Sequence, residues 1–455
     1  MNLPNYFFAD LPPEAELTPL IIREACHALK RNRRQYLEER PVKSLVRALA
    51  ETAQAWLEPE SHFRKLALEE GPARTGFSRE TLRIGLDAFF SQLTSENLHA
   101  LIEQDLGHLS RVEKLTATEA EMTSNRAAIA RAPELLVHIA AGRLPNPTWM
   151  SMVLGVLVRS AQFVKCATGS SWLPRLFAHS LRETDAKLGA CLEIAEWKGG
   201  TSSLEEVLLA EADCVTATGS DETLEAIRAK LGTNTKKRFL GYGQRVSFGY
   251  VAQEALAGLA AQKAVAHAAA DVAAWDQVGC LSPHVIYVET GGKISPEQFA
   301  ELLAGALESE EQKQPRGKLP PEASGNIAYR RSFYEIRAAA SAETRLWQSE
   351  GSTAWTVVYE ADPQFQASCL NRFIYVKMVT NIRDLLRGID AWHEKISTAG
   401  IAAPEDRAEE IANELARWGV TRICPLGQMQ NPPLLWRHDG RPALGDLVTW
   451  TDWET

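Results

Sequence analysis

The chain carries, at residues 135–140, the apolar run Leu-Leu-Val-His-Ile-Ala, which ends shortly before Gly142. Similar apolar runs, separated by helical stretches, follow it. The runs lie at 160–164 and 213–217, and the helical stretches at 173–188 and 222–231. Short apolar runs bounded by turn residues are typical of buried strands, and strands that alternate with helices form parallel sheets covered on both faces. This pattern predicts an α/β fold.

The residues that follow each predicted strand are the first candidates for function, because ligands of parallel sheets bind at the carboxyl ends of the strands. Lys165 ends the second run, and Thr218-Gly219-Ser220 follows the third. Backbone N–H groups at the start of a helix attract phosphate groups. Taken alone, however, the tripeptide is most simply a turn with a helix N-cap.

The segment before these runs is predicted to be helical. Thr18 precedes Pro19 as an N-cap precedes a first-turn proline, and Ser78 and Ser95 are further candidate N-caps. We therefore expect an all-helical start of the chain.

A second α/β block begins near Glu254. It combines an Ala-rich helix with further apolar runs and with a polar, Pro-rich stretch that we interpret as an exposed loop or insertion. In chain order these are the Ala-rich helix 255–275, the run 284–288, the helix 296–307, the loop 308–326 and the runs 356–360, 373–379 and 420–423.

Composition excludes several classes of protein. The 455 residues are 45% hydrophobic and 24% charged, which is ordinary for a globular protein of two or three domains. The 49 Lys and Arg against 58 Asp and Glu leave a net charge of −9, so we expect no nucleic acid partner. The most apolar long stretch, 255–275, carries Lys263, His267 and Asp271, so we also expect no membrane span.

Cysteine and histidine usage predicts the compartment and argues against a metal. The seven cysteines are scattered without a Cys-x-x-Cys pair, and the ten histidines are dispersed. We therefore expect a reducing, cytoplasmic location and no metal site. Motifs of phosphate loops, nucleophile elbows and zinc helices are absent from the sequence, and Gly241-Tyr242-Gly243 matches only the start of a dinucleotide fingerprint.

Cys280 differs from the other cysteines in its setting. It lies in the stretch 276–283, a predicted turn between the Ala-rich helix and the run 284–288. A side chain in such a turn can project into a cleft, where a thiolate is an effective nucleophile. A buried, inert thiol is the ordinary alternative for any cysteine.

A set of spaced segments resembles a known family. The segments are 142–145, 163–165, 218–220, 241–248, 276–283, 424–430 and 436–442. In order and spacing they resemble the acyl-CoA reductase branch of the aldehyde dehydrogenase superfamily, which includes the fatty-acid reductases of bacterial luminescence. The resemblance extends from about Pro133 to the end, roughly two-thirds of the chain. It implies a Rossmann-like nucleotide-binding domain and an α/β catalytic domain.

The resemblance implies that Cys280 is the nucleophile, which takes over the acyl group of an acyl-CoA or other acyl thioester before its reduction to the aldehyde. In such enzymes the backbone N–H of the cysteine and a side-chain amide stabilise the oxyanion. An Asn is usual where this chain has Arg143, and Asn146 follows three residues later. The donor is therefore Arg143 or Asn146, or it is lost, and losing one such donor typically costs about 10²–10³ in rate.

Gly241 stands where hydrolytic aldehyde dehydrogenases carry a Glu general base, so the resemblance favours a reductase whose acyl-enzyme is not attacked by activated water. Glu254 and Glu289 are alternative bases. Arg245 and His284 are also near this site in the sequence, but an ion pair and a core histidine are the simpler interpretations.

The resemblance also implies a nicotinamide dinucleotide. Lys165 matches a lysine that binds the adenosine ribose, and Thr168 stands where NAD-preferring relatives often have a carboxylate. A cation with small hydroxyl groups favours the 2′-phosphate, so NADPH is the expected cofactor. The predicted cofactor-binding residues are Lys165, Thr168, Ser170, Thr218, Gly219, Ser220 and Gly241.

Three regions are expected to share this function. Residues 1–253 would form the helical N-terminal region and the nucleotide-binding domain, 254–425 the catalytic domain, and 426–455 a segment for closing and oligomerisation. We expect NADPH-dependent reduction of a long-chain fatty acyl-CoA or another acyl thioester to the aldehyde. The candidate partners are further copies of the chain, in a homo-oligomer, or an acyl-transfer enzyme. A hydrolytic aldehyde dehydrogenase and a catalytically silent member used for binding are the alternatives.

Overall fold

Two units make up the computed structural model, which describes residues 3–12, 14–232 and 237–454. The first unit comprises the chain up to Thr75, Leu86–Gly243 and the chain from Pro433; the second unit comprises Gly76–Gly85 and Gln244–Pro432. Each unit is therefore built from segments that are distant in the sequence.

Helices and strands alternate through most of the described residues. The helices are α1 (Pro19–Tyr36), α2 (Val42–Leu57), α3 (His62–Glu69), α4 (Gly71–Thr75), α5 (Arg79–Phe90), α6 (Ser95–Leu106), α7 (Glu119–Met122), α8 (Asn146–Leu157), α9 (Trp172–Thr184), α10 (Ala186–Gly189), α11 (Ser202–Glu211), α12 (Asp221–Leu231), α13 (Gly258–Ala273), α14 (Pro296–Lys313), α15 (Pro321–Ala340), α16 (Ile382–Gly388) and α17 (Glu405–Trp418). The strands are β1 (Arg126–Arg131), β2 (Leu135–Ala140), β3 (Ala161–Cys166), β4 (Leu192–Glu196), β5 (Cys214–Thr218), β6 (Arg238–Tyr242), β7 (Val246–Val251), β8 (Pro283–Glu289), β9 (Thr344–Gln348), β10 (Thr356–Glu360), β11 (Phe373–Val379), β12 (Ile396–Ala402), β13 (Arg422–Pro425) and β14 (Thr449–Glu454).

The first unit contains a five-stranded parallel sheet in the order β4-β3-β2-β5-β6. Leu135 and Val137 of β2 belong to one buried cluster with Ile22 of α1 and Leu208 of α11, while α8 also contacts β2 and β3. Burial explains the composition of these strands, since parallel strands covered by helices read as nearly continuous apolar runs. The unit also contains a two-stranded antiparallel ribbon of β1 and β14.

The second unit contains a seven-stranded sheet in the order β13-β12-β7-β8-β11-β10-β9, parallel except for the antiparallel edge strand β9. Two buried clusters use alternate residues of its strands. Ile286 and Val288 of β8 pack in the cluster that includes α13 and α14, and Val285 and Tyr287 pack in the other. The sheet is thus apolar on both faces, as predicted for a doubly covered sheet.

Several predicted helix starts are confirmed and one is wrong by a residue. The Thr18 side chain accepts a hydrogen bond from the backbone of Ile21, and Ser78 does so from Thr81. Ser95 is not an N-cap but the first residue of α6, because the Thr94 hydroxyl accepts the hydrogen bond from Asn97 at 3.1 Å.

The interpretation of 308–326 as a loop is wrong for most of its length. The helix α14 continues to Lys313 and α15 begins at Pro321, so only 314–320 separates them. Glutamates favour helix, and two of them are tied to other elements: Glu308 accepts a hydrogen bond from Trp355 at 2.7 Å and Glu311 pairs with Arg372 at 2.8 Å.

The described residues contain no helix that is both long and apolar enough to cross a membrane.

Candidate active site

In the first unit, most of the predicted site residues lie at the carboxyl ends of the strands of the parallel sheet. The strands of this sheet are parallel, so their carboxyl ends lie together. Residues at or just beyond these ends are Arg143, Asn146, Lys165, Thr168, Ser170, Thr218, Gly219, Ser220 and Gly241. The predicted cofactor-binding residues therefore lie at the carboxyl ends of neighbouring strands.

Lys165 is a buried cation that has no polar partner in the part of the chain that the structure describes. Its relative exposure is 4%, and its Nζ makes no hydrogen bond or ion pair with any described residue. The nearest interaction is with the ring of Trp197, whose centroid is 5.8 Å from Nζ. Burial lowers the pKa of this ammonium group. A buried, unpaired charge is costly, so this side chain is suited to bind an anion or a hydroxyl group.

The turn after β3 is open on one side and held by a carboxylate on the other. Gly169 has φ +79°, and a Cβ added to it would meet no atom within 4 Å. The carboxylate of Glu196, the last residue of β4, accepts hydrogen bonds from the backbone N–H of Gly169 at 2.8 Å and of Ser171 at 3.2 Å. The Ser170 hydroxyl donates to the carbonyl of Ala167 at 2.7 Å, and Thr168 is exposed.

The turn after β5 is the start of a helix, as the simpler interpretation of its sequence predicts. The Ser220 hydroxyl caps α12 by accepting from the N–H of Thr223 at 3.3 Å. The Thr218 hydroxyl accepts from the N–H of Ala141 at 3.4 Å. The tripeptide therefore lies beside the end of β2, with the first N–H groups of α12 at the same sheet edge.

The end of β2 presents two candidate donors of different character. Gly142, which precedes them, has φ +86°, and a Cβ added there would meet no atom within 4 Å. Arg143 is half-buried. Asn146 is the first residue of α8, and its Oδ1 is buried without a hydrogen-bond partner among the described residues. Since buried amides are normally satisfied, this amide is a candidate for contact with a ligand.

A stacked cluster covers the end of β6. The ring of His438 stacks on Tyr242 at 4.5 Å, and the guanidinium of Arg441 lies 4.8 Å from the centroid of the same tyrosine. Arg441 also donates to the carbonyl of Gly241 at 3.2 Å. The C-terminal segment thus supports the strand that carries Gly241. Sequence reasoning missed this cluster, because its members are about 200 positions apart.

The second unit contains three half-buried cysteines, Cys280, Cys369 and Cys424. The cysteines of the first unit, by contrast, are buried and burial raises the pKa of their thiols to about 12; they are Cys26, Cys166, Cys191 and Cys214. Burial also raises the pKa of Cys369 and Cys424 to about 11. These six thiols are therefore poor nucleophiles at neutral pH. The backbone at Cys280 is anchored, since its carbonyl accepts from the Ser247 hydroxyl at 2.7 Å.

A left-handed run of backbone leads into the segment of Cys280. Trp275, Asp276 and Gln277 have φ values of 50°, 51° and 63°. Non-glycine residues in this region are strained and persist only where surrounding contacts hold them. Gln277 supplies such contacts, because its amide donates to the carbonyls of Pro283 at 2.8 Å and Phe373 at 3.0 Å.

A second left-handed run packs against the first. Leu370, Asn371 and Arg372 have φ values of 62°, 57° and 66°. The guanidinium of Arg372, 1% exposed, pairs with the carboxylate of Asp276 at 2.8 Å. We call these two runs, 275–277 and 370–372, the paired turns. Neither run contains glycine, so their conformation could not be predicted from the sequence.

Of the two alternative bases, Glu289 has structural partners and Glu254 is at the surface, and the two flanking residues are also held by hydrogen bonds. Glu289 is buried, accepts from the N–H of Gln253 at 2.9 Å and pairs with Arg407 at 3.2 Å. Glu254 is exposed. His284 is buried, its Nδ1 accepts from the N–H of Ser368 at 3.0 Å, and burial lowers its pKa to about 4. Arg245 donates a hydrogen bond to the backbone carbonyl of Glu394.

Comparisons with known proteins identify the family of the chain. The family model described as acyl-CoA reductase (LuxC) matches residues 37–450. A curated relative, the long-chain acyl-protein thioester reductase of Aliivibrio fischeri, is 22% identical over 417 residues, which cover 90% of this chain and 82% of the relative.

Solved structures share the fold at low identity. A mutant of proline utilization A from Bradyrhizobium japonicum is 18% identical with a TM-score of 0.72, and the match covers 96% of this chain but only 45% of that protein. This chain therefore spans about half the length of that relative. An NAD-dependent benzaldehyde dehydrogenase from Corynebacterium glutamicum is 14% identical with a TM-score of 0.70, and the match covers 97% and 91% of the two chains.

These matches confirm the predicted family and the aldehyde dehydrogenase-like α/β fold. The chain therefore belongs to the acyl-CoA reductase (LuxC) family and is an acyl-reducing enzyme.

Proposed function

We propose that the protein reduces a long-chain acyl thioester, acyl-CoA or an acyl-protein thioester, to the aldehyde with NADPH, through a covalent thioester on Cys280. The observation that carries this proposal is the setting of Cys280, a half-buried cysteine in an anchored segment next to the paired turns. The relative from Aliivibrio fischeri, named as a long-chain acyl-protein thioester reductase, supports the class of substrate.

Cys280 would act as a thiolate that attacks the carbonyl carbon of the acyl thioester. The C–S bond to Cys280 forms, the C–S bond to the leaving thiol breaks, and that thiol takes up a proton. One thioester replaces another, so the enzyme chiefly has to stabilise the tetrahedral oxyanion between them. The backbone N–H of Cys280 is the proposed first donor. Asn146 or Arg143 is the proposed second donor.

A bound reduced nicotinamide supplies the hydride that makes the acyl carbon an aldehyde carbon. The remaining step belongs to Cys280, whose sulfur leaves the resulting thiohemiacetal as a thiolate and releases the aldehyde. Water is a poor competitor for the thioester on Cys280, because Gly241 offers no base and Glu289 is held by Gln253 and Arg407. This supports reduction over the hydrolytic reaction of an aldehyde dehydrogenase.

The residues of the first unit fit a dinucleotide. The buried, unpaired ammonium of Lys165 suits the adenosine ribose or its 2′-phosphate. Thr168 and Ser170 supply hydroxyl groups nearby, Thr218, Gly219 and Ser220 precede the N–H groups of α12, which would receive the pyrophosphate, and Gly241 completes the set. The choice of NADPH over NADH rests on the cation and the small hydroxyl groups.

We also propose a cytoplasmic location. We propose that residues 1–253 bind the nucleotide, that residues 254–425 carry out catalysis, and that residues 426–455 close the site and mediate self-association. The partners we propose are a second copy of the chain and an enzyme that delivers the acyl group.

Replacement of Cys280 tests the proposed function. We expect Cys280→Ala to abolish acyl-CoA-dependent NADPH oxidation while NADPH binding, followed by nicotinamide fluorescence, is retained. The matched control is Cys369→Ala, which removes a half-buried thiol with a pKa of about 11 from the same unit and should leave turnover unchanged. Undiminished turnover by Cys280→Ala would exclude the covalent mechanism.

A further inference from the structure

The carboxylate of Glu196 accepts hydrogen bonds from two backbone N–H groups that could otherwise donate to a phosphate. Its Oε1 accepts from the N–H of Gly169 at 2.8 Å, and its Oε2 accepts from the N–H of Ser171 at 3.2 Å. These N–H groups open the turn that leads into α9, and the N-terminus of a helix favours a negative charge. Glu196 thus fills an anion position with a side chain of the protein itself.

This position is next to the residue expected to bind the ribose. Cys166 of β3 is paired in register with Glu196 of β4, so these two side chains leave the same face of the sheet, whereas that of Lys165 leaves the other face. The Glu196 carboxylate lies beyond the strand, at the turn that follows Lys165. Glu196 is also among the charges that act on the ammonium of Lys165. Under the proposed function, a cofactor at these strand ends therefore meets the cation of Lys165 and, at the turn that carries Thr168 and Ser170, the carboxylate of Glu196.

The open face of the turn gives a ligand access to this carboxylate. A Cβ added at Gly169 would meet no atom within 4 Å, and Thr168 is exposed. A ribose 2′-hydroxyl arriving here can donate a hydrogen bond to Glu196. A 2′-phosphate cannot, and it brings close to two negative charges toward a carboxylate that already holds the available N–H groups.

We propose that Glu196 is a specificity-determining residue that weakens binding of the 2′-phosphorylated dinucleotide and thereby opposes the preference created by Lys165 and Thr168. The proposal rests on the proposed function, since it assumes that a nicotinamide dinucleotide binds at this edge of the sheet. It predicts that the chain prefers NADPH over NADH less strongly than the ammonium of Lys165 and the hydroxyl groups of Thr168 and Ser170 alone would make it.

Glu196→Gln removes the charge while keeping the size of the side chain. We expect the dissociation constant for NADPH, measured by isothermal titration with the whole chain, to fall about tenfold, because a like-charge contact is removed. The dissociation constant for NADH should change less than about twofold. Binding of NADH also shows that the variant has a folded site.

The matched control is Glu205→Gln. Glu205 acts on Lys165 more strongly than Glu196 does, but it accepts from Gly200 and pairs with Lys230 instead of holding the turn after β3. The role of Glu196 would be overturned by equal gains in NADPH affinity in both variants. It would also be overturned if Glu196→Gln left the ratio of the dissociation constants for NADPH and NADH unchanged. If the unmodified chain binds neither dinucleotide, the proposed function itself fails.

Discussion

Asn146 and Arg143 are two side chains that could complete an oxyanion site, and their surroundings favour the asparagine. The Oδ1 of Asn146 is buried and has no partner among the described residues, so this oxygen contributes no hydrogen bond to folding. The Nδ2 group of the same amide is the one that would donate to an oxyanion. Removing a buried, unsatisfied polar group is close to neutral for stability. Removing an oxyanion donor, by contrast, lowers the rate of the chemical step.

We therefore expect Asn146→Ala to lower kcat for acyl-CoA reduction by about 10²–10³ without lowering the melting temperature. Arg143→Ala should lower kcat by less than about tenfold. Steady-state kinetics and thermal unfolding of both variants measure this. The reverse order of the two effects would assign the donor role to Arg143.

The paired turns show how two loop elements hold the segment of Cys280 in a conformation that neither adopts readily. Asp276 is 3% and Arg372 1% exposed, so their ion pair lies in a region of low dielectric. Arg372 also pairs with Glu311, and Asp276 accepts from the N–H of Gly317 at 3.1 Å. The left-handed run 275–277 is thus tied directly to Arg372 and Gly317, and through Arg372 to Glu311.

Breaking this pair should loosen the second unit, because the buried guanidinium of Arg372 loses its buried partner and keeps only the more exposed Glu311. We expect Asp276→Asn to lower the free energy of unfolding by about 3 kcal/mol and to change the rate at which Cys280 is alkylated. Glu311→Gln is the control, since Glu311 is 24% exposed and its loss should cost less. Urea unfolding and thiol alkylation measure both. Unchanged stability of Asp276→Asn would show that the pair does not hold the paired turns.

The sequence predicts the central strands well because burial on both faces selects apolar residues without interruption. The strands β2, β10 and β11 have the same bounds as the predicted runs. The strand β4 was missed, since its sequence, Leu-Glu-Ile-Ala-Glu, mixes charges with apolar residues. Glu196 was therefore not a candidate, although its carboxylate lies at the predicted cofactor site.

Other parts of the candidate site depend on tertiary contacts that the sequence does not reveal. Lys165 could be placed at a strand end from its run, but its lack of a polar partner depends on what surrounds it. The paired turns contain no glycine, and of their six residues only Asp276 and Asn371 are of types that adopt positive φ with some frequency. They are joined by the pairing of Asp276 with Arg372, which are 96 positions apart.

The two units of the chain do not follow the order of the sequence, because each contains segments that are far apart in it. The first unit is completed by the C-terminal segment, where Arg238 of β6 donates to the carbonyls of Asp446 and Val448. Leu444 donates its N–H to Asp105 at 2.6 Å. The predicted regions 1–253, 254–425 and 426–455 are contiguous and concern function, and they stay a prediction. Contacts across more than 200 positions cannot be found by following composition along the chain.

The ribbon of β1 and β14 is where we expect copies of the chain to associate. All residues of β14 are exposed, and a two-stranded ribbon leaves backbone groups unpaired at its edges. Trp450 and Trp453 are 42% and 55% exposed, and their spacing places them on opposite faces of the strand. The ring of Trp450 contacts the guanidinium of Arg111, so Trp453 is the more available for a partner.

We expect the unmodified chain to sediment as a dimer or larger species at micromolar concentration and Trp453→Ser to shift it toward the monomer, because an exposed indole on a strand edge supplies apolar contact area. Tyr329→Ser is the control, since Tyr329 is 73% exposed on α15 of the second unit and its loss should leave the distribution unchanged. Sedimentation velocity over a concentration series measures both. A monomeric unmodified chain, or a Trp453→Ser variant that associates as strongly, would remove the ribbon as the site of association.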